Sequence, residues 1–323
     1  MVLYHYTARG DITSFPLLAP LSQFGYLGVP LFFMISGFVI SASAENRTPA
    51  EFVVSRITRL FPAYWFGIGF TLAVMFLLEQ NSLPIRQILM NMTMLNDYLG
   101  IKNIDGVYWT LQVELKFYAC IFLLLATKTF SKTRYWVTGW LIMTIVYAAC
   151  KQPFFMPWFI NPDYSVYFIS GVVAYLIFKD GLSHFTLMLY FASAALAVYF
   201  CIHQVKGFAS WADQAHVITA AVITLILHGI FLLIATRKLN VKSHPLYLLL
   251  GGLTYPIYLI HNRAGKIFID TFATPETLAW VTTLAIALVI GVAFIIYKFI
   301  EPPLSKVLRH SLQRALRRMG LTA

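Results

Sequence analysis

The amino-acid sequence predicts an all-α fold, a polytopic transmembrane helical bundle of about nine complete spans behind a truncated first helix. Three observations carry that prediction. Of 323 residues, 59% are hydrophobic and only 11% charged, with a mean hydropathy of +0.73. One water-soluble core cannot hide so much apolar surface. Apolar runs of about 20 residues, the length that crosses a hydrocarbon layer, recur from Phe24 to Ile300 with short polar breaks. Lysines and arginines gather in alternate breaks, as the cytoplasmic bias of basic loops requires.

Taken in order, Met1 to Tyr6 are apolar, but Arg9 and Asp11 follow at once. Residues 1–8 are therefore expected to be a partial first helix, with further residues upstream of Met1. The first complete span is Phe24 to Ala44, whose Gly28, Ser36 and Gly37 suit close helix contact. A polar loop from Glu45 to Pro62 carries Arg56 and Arg59, and a span from Ala63 to Leu78 follows. The connection Glu79 to Gly106 is the longest, holds Asn91, Asn96, Asp97, Lys102 and Asp105, and is placed to cover a site. The helix containing Glu114 comes next, then spans near 135–150, 164–178, 185–202, 216–235, 246–262 and 278–300. Residues 301–323 form a basic tail, and 1–323 reads as one transmembrane domain.

The net charge of +11 is explained by topology and needs no nucleic-acid partner. If the Arg56/Arg59 loop is cytoplasmic, alternation also places Lys128, Lys132, Arg134, Lys179, Arg237, Lys238, Lys242 and the tail inside. Only Arg9, Arg86, Lys102, Lys151, Lys206, Arg263 and Lys266 fall outside. The C-terminus is therefore expected in the cytoplasm. Cys120, Cys150 and Cys201 lie singly in apolar segments and suggest small buried hydrophobes, with no disulfide or metal framework.

Glu114 is the residue that composition does not explain. It stands in Trp109-Thr110-Leu111-Gln112-Val113-Glu114-Leu115-Lys116-Phe117-Tyr118, with apolar residues continuing to Leu125. A carboxylate at a helix centre costs about 2.5–3.5 kcal/mol on insertion scales, and Glu is too short to reach the interface as Lys116 can. Glu114 should face the protein interior with a partner, either as a site residue or as an interfacial acid that fixes packing. Arg56 and Arg59, three apart, share a helix face and offer two planar forks that suit phosphate, or else are ordinary topogenic charge. His5, between Tyr4 and Tyr6, is a candidate base or an interfacial belt residue. His261 is open to the same two readings, and mid-span His228 to packing or an interhelical hydrogen bond. The histidines lack metal-ligand spacing, so no metal is expected.

The order of these signals is more specific than any one of them. His5 precedes Gly28 to Phe38, then Arg56-x-x-Arg59-Leu60-Phe61-Pro62-Ala63-Tyr64-Trp65, then Trp109-Thr110-Leu111-x-x-Glu114-x-x-Phe117-Tyr118. Leu250 to His261 and Tyr297-x-Phe299-Ile300-Glu301-Pro302-Pro303 close the series. This pattern resembles the acyltransferase-3 family of bacterial integral-membrane O-acyltransferases. The resemblance implies transfer of an acyl group, usually acetyl, from cytoplasmic acyl-CoA to a surface or secreted carbohydrate, from within the bacterial inner membrane. It also implies His5 as the essential first-helix histidine, Glu114 as the motif acid, and Arg56 with Arg59 as the CoA-side pair. A path lined by Gly28, Ser36 and Gly37 would lead the thioester toward Glu114 and His5. The alternatives are a glycan or lipid-intermediate transporter with Glu114 as proton-coupling site, or an inactive, N-terminally truncated homologue.

Overall fold

The computed structural model describes residues 1–8 and 19–320. Arg9 and Asp11, on which the expected early break of the first helix rests, lie outside the described residues. Helices run over Ala19–Ser22 (α1), Gly28–Ala44 (α2), Pro49–Glu79 (α3) and Ile85–Met92 (α4). Trp109–Ala126 (α5), Thr133–Cys150 (α6), Met156–Phe159 (α7), Pro162–Asp180 (α8), His184–Phe208 (α9) and Gln214–Ala235 (α10) follow. Pro245–Ile260 (α11), Arg263–Phe272 (α12), Leu278–Ile295 (α13) and Glu301–Arg318 (α14) complete the series, with π-helical turns at Tyr4–Ala8 and Ile296–Ile300. No strand occurs among the described residues.

Every predicted span falls on one of these helices. Among the described residues, Gly25–Ala44, Pro49–Glu79, Gly106–Ala126, His184–Phe208, Gln214–Ala235 and Leu278–Arg318 are long and apolar enough to cross a membrane, and Pro245–Ile260 is a shorter apolar helix. The protein is a multi-pass, all-α membrane protein.

Three boundaries differ from the sequence expectation. The stretch 45–62 is helical from Pro49 onward, so Arg56 and Arg59 sit inside a continuous α3 and not in a loop. Pro62 lies inside this helix and has no N–H to offer the carbonyl four residues back. In the fold that carbonyl, Thr58 O, takes a hydrogen bond from Ser305 Oγ at 2.8 Å. The tail is helical to Arg318, because Pro302 and Pro303 occupy first-turn positions, where a missing N–H costs little. A ten-residue helix, α12, occupies part of what read as a linker.

The chain divides into two compact units. The first comprises Met1–Gly25, Val53–Gln112 and Ser243–Ala323. Within it α11 and α12 pack on α13, and Tyr6, Ile269 and Ala285 form a small core. The 80–106 connection is a folded cap. Asn91 donates to Gln87 O and Lys102 O and accepts from Ile104 N–H. Gln112 Nε2 donates to Asn96 Oδ1 and Asn103 Oδ1 at 2.8 and 2.9 Å. These amides satisfy backbone groups that an irregular segment would otherwise leave bare.

The second unit comprises Tyr26–Phe52 and Val113–Lys242. Its axis is α8, buried from Ser165 through Ile177 and packed by α2, α6, α9 and α10. Gly37 of α2 and Gly171 of α8 lie so close that a Cβ on either would strike the opposing backbone, the small-residue contact the sequence suggested. Phe33 and Phe117 pack on Phe168 beside it as tilted rings, their centroids 4.7 and 4.4 Å from that of Phe168. At the end of α2, Glu45 accepts from Tyr175 and Lys179 of α8. His228 bonds Thr224 O within its own helix and Ser170 Oγ across to α8, which is the packing role expected of it.

Candidate active site

In the second unit, the first turns of α5 bring Glu114 to a buried position, 4% exposed. Ser36 Oγ of α2 donates to Glu114 Oε1 at 2.6 Å. The carboxylate thus faces protein and not lipid, and it has a polar partner, as its cost in hydrocarbon demands. Ser36 and Glu114 therefore meet, but Gly37 is closed by Phe168 and Gly171. The expected path lined by Gly37 is not present at that residue.

His5, Arg56 and Arg59 all belong to the first unit. Arg59, on the outer face of α3, forms an ion pair with Glu301 at the start of α14, and its guanidinium lies 5.8 Å from the Tyr255 ring centre. Arg56 Nη2 donates to Ser55 Oγ at 2.9 Å. One fork of the arginine pair is thus held by an internal carboxylate, which any incoming phosphate must share or displace.

His5 is buried in the first π-helical turn, and its ring centre lies 5.1 Å from that of His261. Three contacts build this meeting. Tyr6 donates its hydroxyl to His261 O, and a Cβ at position 265 would collide with the Tyr6 ring, so Gly265 allows the approach. Asp105 accepts from Asn262 Nδ2 at 2.6 Å and Arg263 N–H at 2.7 Å, and also from Val107 N–H. Burial pushes the Asp105 carboxyl above its ordinary range, against the lowering effect of those hydrogen bonds. Tyr108 donates to Leu259 O and Tyr258 to Val107 O, clamping residues 105–110 to the end of α11.

The two clusters of this unit lie at different levels. Arg59 lies against Tyr255 of α11, whereas the His5–His261 pair stands six residues further along that helix, where Leu259 packs on Gly67 of α3. Six residues of helix rise about 9 Å at 1.5 Å per residue, which is about a third of the thickness of a bilayer core. His5 and Arg59 are thus not brought together. Sequence reasoning discounted His261 as a lone histidine, since no local pattern signals a neighbour at position 5. Among the described residues no group of three or more His, Cys, Asp or Glu side chains gathers as a metal would need.

An acyltransferase domain family, acyltransferase-3, matches residues 1–298. The chain belongs to this family of membrane O-acyltransferases and is an acyltransferase. ORF330 of Acidianus two-tailed virus, which its name offers as a candidate acetyltransferase, is 26% identical over 260 residues, covering 76% of this chain and 75% of its own. The exopolysaccharide production protein ExoZ of Rhizobium meliloti (strain 1021) is 41% identical over 51 residues, covering 15% of this chain and 16% of its own. Nodulation protein 10 of Rhizobium leguminosarum bv. viciae is 32% identical over 119 residues, covering 30% and 32% respectively. No solved structure matches.

Proposed function

We propose that the protein transfers an acyl group, most simply acetyl, from cytoplasmic acyl-CoA to a hydroxyl of a cell-surface or secreted carbohydrate, from within the bacterial inner membrane. The observation that carries this reading is the separation inside the first unit. A basic cluster, suited to the phosphates of CoA, lies against Tyr255, and a buried histidine pair suited to activate a hydroxyl stands about 9 Å further along the same helix. The similarity to an exopolysaccharide production protein supports a carbohydrate acceptor.

In this mechanism Arg56 and Arg59 hold the donor's phosphates, with Glu301 yielding Arg59. His5 takes the proton of the acceptor hydroxyl as its oxygen attacks the thioester carbon. The C–S bond then breaks, and the leaving thiolate recovers the proton. Glu114, held by Ser36 within the second unit, supplies a fixed negative charge in a low-dielectric interior, the setting in which an acid can orient or polarise a group. The contact of Ser305 and Glu301 with Thr58 and Arg59 puts the tail beside the arginines, which supports a cytoplasmic C-terminus if the positive face is inside.

Replacement of both Arg56 and Arg59 by Ala tests the donor site, since the remaining basic loops preserve the topological bias. Binding of radiolabelled acetyl-CoA to the purified double variant should weaken while membrane insertion is normal. Unchanged binding would refute the phosphate role.

A further inference from the structure

His261 is fully buried, 0% exposed. Its Nδ1 lies 2.9 Å from Tyr258 O and 3.2 Å from Ile257 O. A carbonyl only accepts, so Nδ1 carries the proton, and in the neutral ring Nε2 is left as a bare lone-pair acceptor. That nitrogen has no hydrogen-bond partner among the described residues. A buried acceptor without a donor is costly, and such exceptions call for a role. The ring beside it is His5, at 5.1 Å between centres. The same segment is anchored from both sides, by Tyr6 on the His261 carbonyl and by Asp105 on the following two residues. A ring that merely filled space would not need its tautomer and its backbone fixed in this way.

We propose that His261 is the positioning residue for His5. It receives, at Nε2, the N–H of the His5 imidazolium that forms when His5 takes the acceptor's proton. No bond in His261 changes. The proton leaves the hydroxyl for one nitrogen of His5, the other nitrogen's N–H donates to His261 Nε2, and the thiolate later recovers the transferred proton. The arrangement is that of a base oriented by a third group, with a neutral imidazole in place of the usual carboxylate. It deepens the acyltransferase reading above and rests on it for the reaction, though not for the state of the two rings.

The test uses the full chain in proteoliposomes, with acetyl-CoA as donor and the methyl glycosides of glucose and galactose as acceptor probes. His261→Phe should lower kcat by about 10²-fold or more, the usual worth of a positioned proton-transfer system, with KM for acetyl-CoA unchanged. His261→Gln, which can place a carbonyl oxygen where Nε2 stood, should recover a large part of the rate. Full activity in His261→Phe, or equal loss in both variants, overturns the assignment. A second measurement does not depend on turnover. In histidine-¹⁵N-labelled protein His261 should carry its proton on Nδ1, and His261→Phe should change the tautomer or protonation pattern of His5. A proton on His261 Nε2, or an unaltered His5 pattern, overturns the proposal even if the wild type acylates neither glycoside. That last result would count against the carbohydrate reading alone.

Discussion

At the scale of single residues, the partners of each charged group decide what it can do. Arg59 is claimed by Glu301 in the absence of a phosphate, but its side chain is 44% exposed, so the pair is worth little. An exposed ion pair contributes about 0.2–1 kcal/mol. Glu301→Gln should therefore tighten acetyl-CoA binding by no more than a few-fold, measured as Kd with labelled donor. Weaker binding would mean that Glu301 helps to hold the donor. Asp105 differs, because it is buried and accepts three hydrogen bonds. Asp105→Asn turns one acceptor into a donor facing N–H groups and should cost about 1–3 kcal/mol, read from thermal unfolding in detergent. The Asp105 carboxyl is raised in the fold from 3.8, so the native state holds its proton more tightly than the unfolded chain. Its contribution is full below the ordinary carboxylate range and is lost as pH rises through the raised value. The wild type should lose that increment on going from acid toward neutral pH, and the Asn variant should not.

At the scale of helices, the spans were legible because hydrocarbon admits few alternatives. Nothing but a helix satisfies its own backbone in twenty apolar residues. The contact made by Gly37 was legible for a related reason, since small residues mark where backbones can approach. Gly171→Ala tests its strength. The added methyl meets the α2 backbone at Met34 and Phe38, which cannot move aside as a side chain could. Overpacking of this kind typically costs 1–3 kcal/mol, and this variant should show a lowered midpoint in detergent, whereas Gly139→Ala, with open space around it, should not. The start of α3 was not legible. The polar stretch 45–62 read as a loop, and the compensation for Pro62 at Thr58 comes from Ser305, far along the chain. The cap formed by residues 80–106 was recognisable as polar, but its amide network depends on pairings that no periodicity reveals.

At the scale of the whole molecule, the order of motifs pointed to the acyltransferase-3 family, and the family match bears that out. The candidate residues were legible in unequal degree. Glu114 announced itself by the cost of a carboxylate in an apolar helix, and its burial against Ser36 follows from the same cost. His261 was legible only as a lone histidine, since its meaning comes from a neighbour at the other end of the chain. The proposed reading has the donor bound at the arginine cluster and the acceptor at His5, the two arriving from opposite faces of the membrane. Sided proteoliposomes test it most directly, with acetyl-CoA supplied only at the face carrying Arg56 and Arg59 and a methyl glycoside only at the opposite face. Acetylated glycoside is expected on the far side, with CoA retained on the near side, and His5→Ala should lose transfer with acetyl-CoA binding intact. Transfer only when donor and acceptor share one face, or full activity in His5→Ala, would contradict it.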